Sequence, residues 1–329
     1  MAAHTPDRST PPHEREAREV RGVPGAARTL LAVDIGGTKI AVGLVDGDGA
    51  LVHRVTRPTP AGDAEAVWRV VDSLSVAALA VAGGAVCGVG VASAGPIDVT
   101  AGTVSPINIS QWQDFPIVDR LAATVGAPVQ LAGDGLCMAL GERWRGAGQG
   151  ADFLLGIVVS TGVGGGLVLD GAPYRGRTGN AGHVGHVVVD PHGQRCACGG
   201  RGCVETIAAG PQMVQWARRH GWVAPPDADA RHLADAAAEG DGVALGAFER
   251  GAEAVAALIA SVGAVCDLDR VVVGGGVANA GALLFDPLRD ALRRYATLSF
   301  IRGLEVLPAS LGGAAGLVGA AALALSSPS

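Results

Sequence analysis

Residues 34–39 read Asp-Ile-Gly-Gly-Thr-Lys and span the turn between two apolar runs. The run 30–35 has the composition of a buried strand, and the run 40–45 that of a second strand. The two glycines let backbone N–H groups approach a phosphate, because no Cβ stands in the way. Asp34 can hold Mg²⁺ through water, and Thr38 and Lys39 add hydrogen-bond donors. We therefore predict a hairpin that binds nucleotide phosphates.

Two further glycine loops follow strand-like runs. One is Thr-Gly-Val-Gly-Gly-Gly at 161–166, and the other is Gly-Gly-Gly at 274–276. One such loop is as typical of an ordinary turn as of a phosphate site, whereas three favour a nucleotide. The dinucleotide pattern G-x-G-x-x-G fails in the registers that start at Gly162, Gly274 and Gly88, because Leu167, Asn279 and Ser93 stand where its last glycine is required. A Rossmann dehydrogenase is therefore disfavoured.

The composition of the 329-residue chain excludes several other classes. Lys39 is the single lysine and follows Thr38, so there is no Gly-Lys-Ser/Thr Walker loop, and the protein-kinase motifs are absent too. A net charge of −6 provides no electrostatic basis for binding nucleic acid. No apolar stretch is long enough to span a membrane. Six unevenly spaced cysteines indicate a reducing cytoplasm rather than a disulfide framework.

The order of the predicted elements repeats along the chain. It is β-β-β-α-β-α-β up to about residue 134, and a similar order restarts near residue 152, again with a glycine-rich hairpin. This repeat indicates an internal duplication in an α/β protein of about two domains. We expect a strand at 184–189 in the second half and a last helix at 313–325. Residues 1–28 are predicted to be a disordered leader, too short for a helix-turn-helix domain.

Four potential metal ligands lie close together in the second half. His186, Cys196, Cys198 and Cys203 form the pattern H-x9-C-x-C-x4-C. Three thiolates and one imidazole are the ligand set of a closed, structural Zn²⁺ site. The alternative, three free thiols, would leave reactive cysteines exposed without a purpose. We predict a zinc loop at 186–205, which the metal orders because the loop has almost no apolar residues of its own.

Polar residues beside these features are candidates for chemistry. Asp134 follows a strand-like run and precedes a helix, so it is either an N-cap or a general base at the boundary between the halves. Asn108 lies in a proline-containing loop and alone indicates only a turn. His183 and His186 are three residues apart, and Glu205 follows the zinc ligands. A metal-ordered loop would hold such groups rigidly for polar recognition.

Together these residues resemble the ROK family of repressors, open reading frames and kinases. The resemblance covers about residues 29–325, and its motifs occur in the family's order. The family's two phosphate motifs resemble 34–39 and 161–166, and its adenosine segment resembles 274–276. Its histidine and cysteine segments resemble 182–186 and 196–205.

The resemblance implies an α/β fold of two actin-like, hexokinase-like (ribonuclease H-like) lobes with an interlobe cleft. The small lobe would comprise residues 29–134 and be completed by the C-terminal helix 313–325. The large lobe would comprise residues 135–312 and carry the zinc loop 186–205.

The same resemblance implies an ATP- and Mg²⁺-dependent hexose kinase. Asp134 matches the family's catalytic base, which takes the proton of the sugar 6-hydroxyl. Sugar-contacting positions are matched by Asn108, His183, His186 and Glu205, with His186 using its second ring nitrogen. The matched nucleotide positions are Asp34, Gly36, Gly37, Thr38, Lys39, Thr161, Gly162, Val163, Gly164, Gly165, Gly166, Gly274, Gly275 and Gly276. We also expect the protein to form a homodimer and to bind a small-molecule sugar as its substrate. We expect it to bind neither nucleic acid nor a membrane.

Two departures from the family's pattern bear on the substrate. Most of its glucose kinases have a glutamate where His183 stands here. Its bacterial N-acetylmannosamine kinases resemble this chain at Ala181–His186 and Asp190–Gly193. A neutral imidazole can donate a hydrogen bond to an acetamido carbonyl, so N-acetylmannosamine is favoured, with a glucokinase or a non-catalytic ROK sugar sensor as alternatives. The asparagine that usually precedes the base is Gly133, so one sugar hydrogen bond should be missing or replaced.

Overall fold

The computed structural model describes residues 29–325. The predicted leader at 1–28 lies outside that range. The first half contains β1 (Leu30–Ile35), β2 (Lys39–Val45), β3 (Leu51–Pro58), α1 (Ala64–Val81), β4 (Val89–Ser93), β5 (Ile97–Asp98), β6 (Thr103–Val104), α2 (Ile117–Val125) and β7 (Val129–Gly133). Five of these strands form one sheet in the order β3-β2-β1-β4-β7. β1 is central because its Val, Leu and Ile side chains are buried on both faces of the sheet.

The second half repeats this plan. After α3 (Asp134–Arg145) come β8 (Leu154–Val159), β9 (Val163–Leu169), β10 (Ala172–Tyr174), α4 (Glu205–Ala208), α5 (Gly210–Arg219), α6 (Ala230–Ala238), α7 (Gly242–Cys266), β11 (Arg270–Gly274), α8 (Ala282–Tyr295), β12 (Glu305–Pro308) and α9 (Ala315–Leu325). Its sheet has the order β10-β9-β8-β11-β12. In both sheets the central strand pairs antiparallel with the next strand and parallel with a later one. The predicted duplication is therefore a duplication of sheet topology.

Two helices, α3 and α9, pack against each other between the sheets. α9 also packs on β1 and β4 of the first sheet, and α3 packs on β8 and β9 of the second. The helix axes come close because small residues face each other: a Cβ on Gly319 would lie 1.6 Å from the carbonyl oxygen of Cys137. Because this layer is built of alanine and glycine, the end of β1 and the start of α3 lie close together.

The structure corrects the prediction of a strand at Val184–Val189. Val184–His186 is a single 3₁₀ turn instead. Gly182 precedes it with a φ of 97°, and a Cβ on Gly185 would lie 1.8 Å from the carbonyl oxygen of Val163. The chain therefore turns tightly onto the second hairpin instead of extending beside it. The last helix also begins at Ala315, after a short 3₁₀ turn, rather than at residue 313.

Within residues 29–325, no helix is both long enough and apolar enough to cross a bilayer.

Candidate active site between the two halves

Asp34 and Asp134 lie close enough for their charges to interact. Asp34 is the fifth residue of β1, and Asp134 is the first residue of α3, directly after β7. Burial and, to a smaller extent, the neighbouring carboxylate of Asp134 raise the pKa of Asp34 to about 6, against the opposing effect of Lys39 and Arg54. The packing of α3 and α9 thus brings two carboxylates from distant parts of the sequence together.

Asp134 is exposed to solvent, and its Oδ1 accepts a hydrogen bond from the N–H of Gly135 at 2.7 Å. Gly133 is the N-cap residue of α3, so the capping role considered for Asp134 is not the one that it has. Water reaches the carboxylate, yet protein surrounds it on most sides, and this loss of hydration raises its pKa. The Gly135 hydrogen bond and His183 act in the opposite direction. An accessible carboxylate with a raised pKa is suited to accept a proton.

The first glycine hairpin lies against Asn108. Within the hairpin, the N–H of Gly36 donates to the carbonyl of Lys39 at 3.0 Å. A Cβ on Gly37 would lie 2.7 Å from the Cβ of Asn108, so only glycine allows this contact. Thr38 and Lys39 are exposed at the turn. The structure therefore brings a predicted sugar-contacting residue to the predicted phosphate hairpin.

The second glycine hairpin contacts Glu205. Its carboxylate accepts the N–H of Val163 at 2.9 Å, and a Cβ on Gly162 would lie 2.6 Å from the same Oε2 atom. Thr161 is exposed, and around a Cβ placed on Gly164 there is no described heavy atom within 4 Å. Gly166 has a different role, because a Cβ there would lie 2.2 Å from the Cα of Leu136 in α3. Gly165 packs equally tightly, so the end of this motif serves packing.

The 3₁₀ turn places the side chains of His183 and His186 on the same face of the chain. Residues three apart eclipse each other in such a turn, and the two rings are stacked with centroids 6.4 Å apart. His183 also lies against the loop after β4: a Cβ on Gly95 would be 3.1 Å from its Nε2. His183 also interacts with the charge of Asp134, so its ring lies near that carboxylate. Turn geometry thus positions two predicted sugar contacts together.

The predicted metal ligands form one cluster. The ligand atoms of His186, Cys196, Cys198 and Cys203 all lie within 4.8 Å of one another. The Sγ atoms of Cys198 and Cys203 are 3.8 Å apart, and the Sγ of Cys196 is 3.7 Å from Nδ1 of His186. Ligand bonds of about 2.3 Å to sulfur and 2.0–2.1 Å to nitrogen give tetrahedral edges of about 3.8 and 3.6 Å. The residues therefore fit a tetrahedral metal bound through Nδ1 of His186.

A cavity of about 690 Å³ opens beside the second hairpin. Thr161 and Gly276 line it together with residues of α5 and α6 and of the turn after β11. The lining combines apolar residues (Val214, Ala234, Val277 and Ala280) with polar ones (Gln215, Asp229, Arg231 and Asn279). Its size and mixed lining suit a nucleoside.

Comparison with known proteins agrees with this architecture. Residues 30–327 match the sequence pattern of the ROK family. The chain belongs to the ROK family. The glucokinase of Thermotoga maritima is 37% identical over 310 residues, which are 89% of this chain and 96% of that enzyme. The N-acetylmannosamine kinase of Yersinia pestis is 38% identical over 253 residues, 76% of this chain and 83% of that enzyme.

A solved ROK structure is similar along nearly the whole chain. It is the glucokinase of Streptomyces griseus in complex with glucose and AMPPNP, which is 36% identical and superposes with a TM-score of 0.78. The match covers 91% of this ROK chain and all of the glucokinase. Both sheets and the helix layer between them are therefore shared with a sugar kinase.

Some residues of the cavity in this ROK protein were not predicted from sequence. The guanidinium of Arg218 donates to the carbonyls of Pro225 and Pro226 and so holds the α5–α6 connection as a cavity wall. Conversely, two of the predicted nucleotide residues pack inside: Gly274 lies against Ala309, and Gly275 against Val159. The capping box at Asp229, which fixes the start of α6, is the one sequence feature that could have indicated this wall.

Proposed function

We propose that this chain, a ROK sugar kinase, transfers the γ-phosphoryl group of ATP to the 6-hydroxyl of N-acetylmannosamine. The observation that carries the proposal is the position of Asp134. It is an accessible carboxylate with a raised pKa, set at the junction of the two halves beside Asp34 and His183. Such a group can take a proton from a sugar hydroxyl and can keep that role near neutral pH.

In the proposed reaction, Asp134 accepts the proton of the 6-hydroxyl as its oxygen attacks the γ-phosphorus. The bond from that phosphorus to the bridging oxygen of ADP breaks, which gives the sugar 6-phosphate and ADP. Asp134 afterwards releases its proton to solvent. Because phosphoryl transfer depends mainly on positioning and charge stabilisation, the two glycine hairpins and the junction carry most of the catalysis.

The nucleotide would span the cavity and the two hairpins. Its adenosine suits the cavity that Thr161 and Gly276 line, and the open space at Gly164 lets a phosphate approach backbone N–H groups. Lys39 is exposed at the first hairpin, where its ammonium can reach a phosphate oxygen. Asp34 would hold Mg²⁺ through water, and the ion, when bound, neutralises phosphate charge.

His183 supports N-acetylmannosamine as the acceptor. Its imidazole is near the base, between the loop after β4 and the metal-binding turn. A neutral imidazole donates a hydrogen bond that an acetamido carbonyl can accept, whereas a glutamate could only accept one. The similarity to the Yersinia pestis N-acetylmannosamine kinase is consistent with this choice.

Glucose is the second candidate, because the two glucokinases match more of the chain. The Thermotoga maritima enzyme aligns over 89% of this chain, against 76% for the N-acetylmannosamine kinase. The two candidates differ at carbon 2, where the acceptor carries either an acetamido group or a hydroxyl. They therefore make opposite predictions for a change at His183.

We propose Zn²⁺ for the cluster that contains His186. The ion, when bound, cross-links the loop to the 3₁₀ turn. With Nδ1 on the metal, Nε2 of His186 remains free to contact the sugar, and the loop fixes the start of α4, where Glu205 lies. The role of the metal is therefore to hold these two side chains in place.

A coupled ADP-release assay over hexoses and N-acetylhexosamines tests the proposal. We expect a higher kcat/KM for N-acetylmannosamine than for glucose, and His183→Glu should raise the value for glucose and lower that for N-acetylmannosamine. His192→Glu, at an exposed histidine beyond the 3₁₀ turn, is the matched control. If wild-type protein uses glucose at least as well and His183→Glu harms it, glucose is the substrate.

A further inference from the structure

A short segment of the second half lies along the first half at their junction. Residues 179–183, which follow β10 and lead into the 3₁₀ turn, run beside β5 and its flanks. A Cβ on Gly179 would lie 2.5 Å from Cγ1 of Val99, and a Cβ on Gly95 would lie 3.1 Å from Nε2 of His183. The two stretches therefore pass each other in opposite directions, in close contact.

Asn180 joins the two halves in the middle of this contact. Its Oδ1 accepts the N–H of Ile97 at 3.1 Å, and its Nδ2 donates to the carbonyl of Ile97 at 2.8 Å. Nδ2 also lies 3.3 Å from the carbonyl and from the hydroxyl of Thr178, just before the segment. A primary amide both accepts and donates, whereas a carboxylate of the same shape only accepts. The contact therefore uses the whole amide of Asn180.

The amide takes the place of a further strand beside β5. Ile97 stands opposite Val104 of β6. The two residues do not exchange hydrogen bonds, because the N–H of Ser105 donates to the carbonyl of Pro96 instead. The N–H and the carbonyl of Ile97 therefore point away from β6 and toward the second half. Since Ile97 is buried, leaving these two groups unpaired would cost stability, and Asn180 satisfies both.

The position of the His183 ring depends on this anchor. The ring is exposed, and no residue of the range 29–325 hydrogen-bonds to it. After His183 the chain is fixed to the second hairpin, where a Cβ on Gly185 would lie 1.8 Å from the carbonyl oxygen of Val163. Before His183, Asn180 supplies the hydrogen bonds to the first half. The backbone is thus held on both sides of a ring that has no hydrogen bond of its own.

We propose that Asn180 is a positioning residue, which holds the imidazole of His183 at the acceptor site by hydrogen-bonding Ile97 across the junction. This inference rests on the proposed function in one respect, the contact between His183 and the sugar. Without the amide, the segment is released from the first half and the imidazole samples several positions. Ordering the ring then reduces the affinity for the sugar.

A double-mutant cycle between Asn180 and His183 tests this inference. The sugar Kd from calorimetry and kcat/KM are measured for Asn180→Ala, His183→Ala and the double variant, with the sugar that the wild type binds best. Because a neutral hydrogen bond changes an equilibrium by up to about tenfold, Asn180→Ala should weaken sugar binding by about three- to tenfold. In the His183→Ala background the same change should have an effect of less than about twofold, since no imidazole remains to be positioned.

Asp269→Ala is the matched control. The Asp269 carboxylate also accepts two backbone N–H groups of a distant segment, those of Asp152 and Phe153. It lies at the amino ends of β8 and β11, opposite the second glycine hairpin. This variant should lower the Tm and leave the sugar Kd unchanged.

Two results of the cycle would overturn the inference. One is a lower Tm with an unchanged sugar Kd in Asn180→Ala, and the other is an equal loss of affinity in both backgrounds. In either case Asn180 would serve stability alone. Asn180→Asp keeps the acceptor for the N–H of Ile97 and loses the donor, so it carries the same cycle if the alanine variant fails to fold.

The imidazole resonances of the sugar-free protein decide the inference separately from the proposed function. The NMR signal of His183, identified by its loss in His183→Ala, should shift or broaden in Asn180→Ala and stay in place in Asp269→Ala. If His183→Ala binds every sugar as the wild type does, the proposed sugar contact fails, whereas this signal still shows whether Asn180 positions the ring. An unchanged signal in Asn180→Ala overturns the inference.

Discussion

The Glu205 carboxylate accepts a hydrogen bond from the N–H of Val163 at 2.9 Å and so connects the loop of the candidate metal site to the second glycine hairpin. Glu205 is the first residue of α4 and comes two residues after Cys203, a member of the metal cluster. The same carboxylate packs against Gly162. One side chain therefore transmits the position of the metal loop to the hairpin that we assign to nucleotide phosphates.

Substitutions at Glu205 should separate its two roles. In Glu205→Ala the N–H of buried Val163 loses its hydrogen-bond acceptor. We therefore expect the free energy of unfolding to fall by about 1–3 kcal/mol, with a lower Tm. Glu205→Gln keeps an oxygen acceptor and should retain most of that stability. Both variants should raise the KM for the sugar. Equal Tm losses in the two variants would contradict the role of the Val163 hydrogen bond.

Loss of a metal ligand should weaken sugar binding more than nucleotide binding. Cys198 is exposed, so Cys198→Ser removes a ligand with little change in packing. We expect metal analysis to show a lower zinc content and the sugar KM to rise by about tenfold or more, because His186 and Glu205 lose their support. Cys87→Ser, at another exposed cysteine outside the cluster, is the control and should behave like the wild type. Unchanged sugar affinity in zinc-depleted protein would refute a positioning role for the metal.

The raised pKa of Asp34 makes the stability of the protein depend on pH. Its folded pKa of about 6 lies above the usual aspartate value, so the folded state holds the proton more tightly than the unfolded chain. In magnesium-free buffer, the free energy of unfolding should therefore fall as the pH rises from about 4 to 6. Asp34→Asn should remove this dependence and be more stable at pH 7 by up to about 3 kcal/mol.

Denaturant titrations across this pH range provide the measurement for Asp34. Asp227→Asn, at an exposed aspartate, is the matched control and should keep the wild-type slope. Adding Mg²⁺ should reduce the difference between Asp34→Asn and the wild type, because the ion stabilises the charged carboxylate. A wild type whose stability rises from pH 4 to 6 as much as that of the variant would contradict the raised pKa.

The sequence predicts the local elements of this site and misses the contacts between them. The hairpin at 34–39 and the ligand spacing around Cys196 and Cys198 are local patterns, and the sheet order and the metal cluster agree with them. The strand expected at 184–189 was wrong because Val184–His186 forms a tight turn against the second hairpin, and a one-dimensional pattern does not contain this long-range contact.

Long-range features were the least predictable. Nothing near Asp34 in the sequence indicates that it meets Asp134, since their proximity depends on the packing of α3 and α9 between the two sheets. The wall of the nucleotide-sized cavity likewise depends on Arg218 holding two carbonyls of the α5–α6 connection. Residue type gave the chemistry of each group, whereas the fold decided which groups meet.

Asp134→Asn should separate binding from chemistry. The amide has nearly the shape of the carboxylate but cannot take the proton of the 6-hydroxyl, so we expect kcat to fall by about 10²–10⁴-fold with a small change in sugar KM.

In the wild type, kcat/KM should fall on the acid side as Asp134 becomes protonated. This fall should occur at a pH above the usual pKa of aspartate, because burial raises the pKa of Asp134. The residual activity of Asp134→Asn should not show this fall at acid pH. Asp98→Asn, in the small β5–β6 hairpin, should keep the wild-type rate and profile. A variant at Asp134 with near-normal kcat would mean that another group accepts the proton, and the proposed reaction would then need a different base.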